Sequence, residues 1–112
     1  MTIAAPLPHT AFAALGDPVR AAIVERLSRG DATVSALAAD FPISLQAVSR
    51  HVRVLVEAGL VAQRSAGRTR PVTLDAGALE RTADWLRDAG RRREQQYERL
   101  DGLLARMQQE DS

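Results

Sequence analysis

The chain contains no cysteine, and this absence excludes three kinds of site. A disulfide framework, a thiolate metal site and a cysteine nucleophile all need the missing side chain. The chain also has no apolar run as long as a transmembrane helix, which needs about 20 residues. Its first residues, MTIAAPLPHT, include two prolines and lack the basic flank of a signal peptide. We therefore expect a soluble protein of the cytoplasm.

Residues suited to catalysis or metal binding are also scarce. The chain has two histidines, His9 and His51, no glycine-rich phosphate loop and no convincing serine–histidine–acid set. Glu80, Asp84 and Asp88 form a row at helical spacing, but sites made only of carboxylates bind transition metals poorly. Nearby arginines are spaced to neutralise this row as surface pairs. We predict no enzyme activity, no cofactor and no metal site.

The distribution of charge is more informative than its total. The 112 residues carry a net charge of +1 and form one small domain with a single core. From Ser44 to Arg70 there are five arginines and one acid, Glu57, which gives +4 and leaves −3 for the remainder. A basic segment in a balanced chain is typical of a local contact with phosphates.

The basic segment begins with an amphipathic pattern, SLQAVSRHVRVLVEAGLV, over residues 44–61. Its spacing predicts a helix that is capped by Ser44 and ended by Gly59. The apolar face holds Leu45, Val48, Val52, Leu55 and Val56. The polar face holds Gln46, Ser49, Arg50, Arg53 and Glu57. Such a helix can pack on a small core and still offer hydrogen-bond donors to DNA.

Two further helices are predicted before this one. Asp17 suits an N-cap and Pro18 the first helical position, so a helix should run to about Arg29 and end at Gly30. It should bury Val19, Ala22, Ile23 and Leu27. Thr33 suits the cap of a third helix. That helix should bury Val34, Leu37, Ala38 and Phe41. A short apolar turn or helix, residues 9–15, precedes both.

A short hairpin is predicted after the polar helix. Residues 60–65 and 71–74 alternate partially in polarity, and residues 66–70 join them through Gly67 at a basic tip. Two helices with a short connection followed by a basic hairpin make a winged helix-turn-helix. The predicted fold is therefore mainly α with a small β-hairpin. We assign residues 1–8 to a flexible leader and residues 9–75 to the DNA-binding core.

The last third, residues 76–112, is predicted to be a long dimerisation helix, with its clearest pattern over residues 78–108. Apolar residues recur there in a heptad-like seam, which GRRRE interrupts with either a kink or a polar gap. The domain is too small to cover this seam, so a second copy is expected to do so. The alternative is that the helix folds back on its own domain.

The segments LGDPVR, residues 15–20, and SLQAVSRHVRVLVEAGLV, residues 44–61, occur in this order and at this spacing in a known family. From about Phe12 to Leu74 the chain resembles the winged-helix core of ArsR-type bacterial transcription regulators, and its terminal helix is similar in character. The resemblance implies a homodimer, built through the first and last helices, that binds an imperfect DNA palindrome. Such proteins usually repress transcription and are usually released by an effector.

The resemblance also implies which residues contact DNA. Gln46, Ser49 and Arg50 correspond to positions that face base edges, whereas Ser44 and Arg53 are better placed for phosphates. The full predicted DNA-binding set is Ser44, Gln46, Ala47, Ser49, Arg50, His51, Arg53, Arg64, Arg68, Thr69 and Arg70. The predicted dimerisation set is Phe12, Leu79, Ala83, Leu86, Tyr97, Leu100 and Leu104. His51 lies between the two faces, where a phosphate contact and a structural role are equally plausible.

The chain departs from the family where many members bind metals. Their sites use cysteines on the third helix or histidine and carboxylates on the last, but VSALAADF has no thiol and the last helix no histidine. One alternative is a repressor with a small organic ligand between subunits, near Trp85 and Tyr97. A second is a winged helix whose basic face meets an acidic protein. The donors on the polar helix favour DNA, because a protein partner would require aromatic anchors.

Overall fold

The structure is a computed structural model that describes residues 8–65 and 67–110. Its elements are α1 (Pro8–Leu15), α2 (Pro18–Leu27), β1 (Ala32–Thr33), α3 (Val34–Ala39), α4 (Leu45–Glu57), β2 (Val61–Gln63), β3 (Pro71–Leu74) and α5 (Ala76–Glu110). The chain divides into two units, Met1–Arg81 and Thr82–Ser112. The predicted leader lies outside the described residues except for Pro8, which begins α1. No described helix is long and apolar enough to cross a membrane.

Helix α2 begins as the sequence predicted. The carboxylate of Asp17 accepts hydrogen bonds from the backbone N–H groups of Val19 at 2.8 Å and Arg20 at 3.1 Å, and Pro18 opens the helix. The helix ends at Leu27, two residues before the predicted end, with Ser28 as its C-cap. Gly30 has a φ of 148°, which a side chain would oppose. The chain therefore leaves the helix through Ser28–Gly30 and enters the sheet.

The sheet has three antiparallel strands in the order β1-β3-β2, one more than the hairpin predicted from the sequence. In β1, Ala32 lies opposite Val72 and Thr33 opposite Pro71, so the hairpin is joined to the chain before α3. A two-residue strand is too short to show alternating polarity, and the prediction missed it for this reason. Thr33 also caps α3 as predicted, since its hydroxyl accepts a hydrogen bond from Ala36 N–H at 3.1 Å.

The core of the first unit lies between α2, α3, α4 and the sheet. Its most buried large side chains are Ile23, Leu37, Val48, Val52, Leu55, Leu60 and Val72. Val24 is buried as well, whereas Val19 and Ala22 are only half-buried. Phe41 lies beyond the end of α3, yet it still packs against this core. Residues 40–44 therefore connect α3 to α4, a slightly longer turn than the sequence predicted.

The apolar face of α4 is narrower than its spacing predicted. Val48, Val52 and Leu55 are buried, but Leu45 is 48% exposed and Val56 39% exposed. The prediction that these two residues belong to the buried face was therefore wrong. Leu45 is the first residue of the helix. Val56 follows Leu55 directly, so its side chain points to a different side of the helix than the buried Leu55. Only the central stripe of the helix reaches the core.

Helix α5, Ala76–Glu110, begins where the predicted dimerisation helix 76–112 begins, and it extends two residues beyond the clearest pattern, residues 78–108, at each end. Asp75 precedes it and accepts a hydrogen bond from Ala78 N–H at 3.1 Å, a cap that the sequence analysis did not identify. Residues 90–94 remain helical and exposed. Charged side chains therefore interrupt the apolar seam, and the helix does not break there.

Candidate nucleic-acid interface

Helix α4 is held by its buried side and presents its polar side outward. The Ser44 hydroxyl accepts a hydrogen bond from Ala47 N–H at 3.1 Å, which fixes the first turn. Val48, Val52 and Leu55 anchor the helix to the core, as described above. The predicted base readers Gln46, Ser49 and Arg50 and the predicted phosphate contact Arg53 are all exposed. The core contacts and the Ser44 cap therefore fix the backbone of the helix that carries these donors.

An open groove of about 640 Å³ separates the start of α4 from the wing, which comprises β2, β3 and the turn between them. The groove is lined by Thr33, Val34, Ser35, Leu45, Gln46, Ser49, Gln63, Arg68, Thr69 and Arg70. A second depression beside it is lined by Ser49, Arg53, Val56, Gln63 and Arg70. The structure thus brings six of the predicted DNA-binding residues to one surface.

Two arginines of the wing, Arg68 and Arg70, line this groove, whereas Arg64 does not. Gly67 has a φ of 63° and makes the tight turn possible, while Ala66 of the predicted tip lies outside the described residues. The hairpin extends past its strands, because Arg64 N–H donates to the Pro71 carbonyl at 3.1 Å. The Gln63 side-chain amide donates to the Arg70 carbonyl at 3.5 Å.

The arginines of this surface differ in their neighbours. A guanidinium nitrogen of Arg64 lies 3.9 Å from a carboxylate oxygen of Asp31, and both side chains are about half exposed or more. Within the described parts of the chain, Arg50, Arg53, Arg68 and Arg70 form no ion pair. Four of the five arginines therefore keep an unneutralised charge for an external anion.

His51 has a structural contact that the sequence did not reveal. Arg20 Nη1 lies 3.4 Å from His51 Nδ1, and Arg20 Nε donates to the Ala14 carbonyl at 2.6 Å. One side chain of α2 thereby links the end of α1 to α4. The backbone N–H of Arg20 lowers the pKa of Asp17, and partial desolvation opposes this effect. The Val19 N–H and the charges of His51 and Arg20 lower the pKa of Asp17 further. Arg20 belongs to the LGDPVR segment, but only the contacts of its side chain with Ala14 and His51 show that it links α1 to α4.

The predicted dimerisation residues fall into two groups. Leu79 is half-buried against the core of its own unit, and Phe12 and Ala83 are also half-buried. Leu86, Tyr97, Leu100 and Leu104 are each about half exposed on α5. Two further apolar residues of this helix, Leu103 and Met107, are also about half exposed. Met107 belongs to the predicted heptad-like seam, whereas Leu103 does not.

Two of the three carboxylates in the row of α5, Asp84 and Asp88, form ion pairs with arginines. Arg87 donates to Asp84 at 2.6 Å, and Arg91 pairs with Asp88 in the same way, three residues along the helix. The described residues contain no group of three or more histidine, aspartate or glutamate side chains arranged to hold a metal ion. For Asp84 and Asp88, the structure agrees with the sequence prediction that nearby arginines neutralise these carboxylates on the surface.

A helix-turn-helix whose second helix presents exposed donors, followed by a basic wing, defines a winged-helix DNA-binding protein. The family model for a helix-turn-helix domain matches residues 15–64. The HTH-type transcriptional regulator Rv2034 of Mycobacterium tuberculosis is 49% identical over 72 residues, which cover 64% of this chain and 67% of the relative. The transcriptional repressor SdpR of Bacillus subtilis is 28% identical over 78 residues, covering 70% and 87%.

A solved structure extends this similarity beyond the helix-turn-helix. The ArsR-like transcriptional regulator from Rhodococcus sp. RHA1 is 30% identical to this chain and superimposes with a TM-score of 0.79. The match covers 86% of this chain and 91% of the regulator. The chain belongs to the ArsR family of winged helix-turn-helix transcriptional regulators.

Proposed function

We propose that the chain is a homodimeric repressor that acts in the cytoplasm, binds an imperfect DNA palindrome and has no catalytic role. The observation that carries the proposal is the joint exposure of Gln46, Ser49 and Arg50 on a helix that the core holds rigidly. The similarity to the repressor SdpR supports repression. Two recognition helices related by twofold symmetry would enter successive major grooves about one helical turn apart.

The side chains of α4 suit different parts of the duplex. Arg50 has the fork of donors that matches guanine, and Gln46 the amide that matches adenine. Arg53 and the wing arginines Arg68 and Arg70 suit phosphates, which position the protein without reading the sequence. Ser44 accepts the bond of its own helix cap, and its hydroxyl hydrogen is still available to a phosphate.

The remaining predicted contacts have narrower roles in this proposal. His51 positions α4 through its contact with Arg20, so we do not assign it a direct contact with DNA. Ala47 and Thr69 complete the surface next to the donors. Asp31 partly neutralises Arg64, so we expect that arginine to contribute less than its neighbours.

Residues 76–112 supply the dimer contact in this proposal. Leu86, Tyr97 and Leu100 expose apolar surface that a second copy would cover. Static light scattering at micromolar concentration should give twice the mass of the chain. A monomeric mass would contradict the proposed dimer.

DNA binding itself is tested by titration against the DNA upstream of the protein's own gene and against a scrambled duplex. We expect preference for the upstream duplex and affinity that falls steeply as salt rises. Equal affinity for both duplexes, or a flat salt response, would contradict the proposal. The acidic-partner alternative predicts equal affinity for both duplexes, because a basic face that reads no bases binds any duplex through its phosphates alone.

Arg50→Ala tests the role of one base reader. It should weaken binding to the preferred duplex by about 1–3 kcal/mol for each half-site and relax the preference at one base-pair position of each half-site. The measurement compares duplexes with single base-pair changes. An equal loss on every duplex would reduce Arg50 to a phosphate contact.

A further inference from the structure

Leu45 places exposed apolar surface in a groove that polar and basic side chains also line. It is the first residue of α4, it is 48% exposed, and it lines the groove between that helix and the wing. Val34 from the start of α3 lines the same groove, so the two side chains place apolar surface there. The Ser44 cap fixes the turn that carries Leu45. The position of this leucine is therefore set by the fold, although the core does not bury it.

The groove that holds Leu45 fits a nucleic acid better than a protein partner. Arg68 and Arg70 line its wing side, and Gln46 and Ser49 line its helix side. None of the described residues that line it is acidic. A nucleic acid whose base edges carry an apolar group would place phosphates near the arginines and that apolar group near Leu45. In the major groove of DNA, the 5-methyl group of thymine is that apolar group.

We propose that Leu45 is a specificity-determining residue that contacts a thymine methyl group next to the base pair read by Gln46. The inference rests on the proposed function, because it requires α4 to lie in the major groove. Leu45 and Gln46 belong to the first turn of the helix and both line the groove, so in the proposed complex they lie next to neighbouring base pairs. Burial of one methyl group against the leucine should change affinity by about fourfold at each half-site.

Deoxyuridine substitution tests this contact, because it removes the methyl group and keeps every hydrogen-bonding group of thymine. Duplexes that the wild-type protein prefers are first selected from a random pool. Each thymine is then replaced by deoxyuridine, one symmetric pair at a time. We expect one pair of replacements to weaken wild-type binding by about 16-fold, since both half-sites lose a methyl contact. The Leu45→Ala variant should bind the substituted and unsubstituted duplexes with the same affinity.

The matched control is Val54→Ala, at an exposed residue of the same helix that is not among those lining the groove. This variant should keep the full sensitivity to deoxyuridine. Circular dichroism and thermal unfolding check that the Leu45 variant folds like the wild type. The inference is overturned if wild-type binding tolerates every replacement, or if Leu45→Ala keeps the wild-type sensitivity.

Failure of the inference is distinguishable from failure of the proposed function. A protein that prefers its selected duplex over scrambled DNA but ignores every methyl group retains the proposed function and loses only the Leu45 contact. A protein with no preference among duplexes loses both.

Discussion

Arg53 offers a quantitative test of how the basic surface binds DNA. Its side chain is exposed, lines the smaller depression beside the wing, and forms no ion pair within the described residues. We expect it to neutralise one phosphate, so Arg53→Gln removes one contact from each protomer and two from the dimer. Each contact contributes about −0.9 to the slope of log affinity against log salt, so the slope should become shallower by about 1.8.

This change in slope is large enough to measure. As salt rises from about 50 to about 200 mM, wild-type affinity should fall about 12-fold further than the affinity of the variant. Fluorescence anisotropy at several salt concentrations, with the preferred and the scrambled duplex, gives both slopes. Because phosphates carry no sequence information, the variant should lose affinity for the two duplexes by the same factor.

The control for this measurement is Arg29→Gln. Arg29 is also exposed, but it lines a depression formed by residues of α2 and of the segments that directly follow α2 and α3, with none from α4 or the wing. Its removal should leave the salt slope unchanged. The reasoning is refuted if Arg53→Gln does not change the slope, or if its loss of affinity is confined to the preferred duplex.

Two further predictions concern stability, measured by urea unfolding at fixed protein concentration. Thr73 Oγ1 is buried on the central strand and has no hydrogen-bond partner among the described residues, so Thr73→Val should raise the free energy of unfolding by about 1 kcal/mol. Thr73→Ser keeps the hydroxyl and should not be stabilised; equal behaviour of the two variants would contradict this account. Backbone N–H groups lower the pKa of Asp17 in the folded chain, so its contribution to stability is complete above the ordinary carboxyl range and disappears as pH falls below about 4. Asp17→Asn keeps a cap and should flatten that acid dependence, and an unchanged pH profile would refute the assignment.

The elements that the sequence predicted well depend on neighbouring residues. Asp17, Thr33 and Ser44 each accept a bond from an N–H two or three residues later, so a short stretch of sequence contains the whole interaction. The exposed donors of α4 follow in the same way from helical periodicity. The resemblance to the family added the assignment of Gln46, Ser49 and Arg50 to base edges, because its motifs occur at characteristic spacing.

The features that the sequence did not reveal depend on residues far apart in the chain. Strand β1 exists because Ala32 lies opposite Val72, and Arg20 is positioned by a contact with His51 on another helix. Helical periodicity wrongly placed Leu45 on the buried face of α4. Periodicity shows which side of a helix is apolar, but it does not show how far along the helix the core extends.

The sequence by itself therefore determined a capped, amphipathic recognition helix with arginine on its outer face, because periodicity and capping act over a few residues. Only the tertiary structure decided which part of that helix is buried. The core contacts the central stripe, Val48, Val52 and Leu55, and leaves Leu45 exposed between the helix and the wing. Burial depends on which distant segments pack against a side chain, and that packing is decided by the fold as a whole.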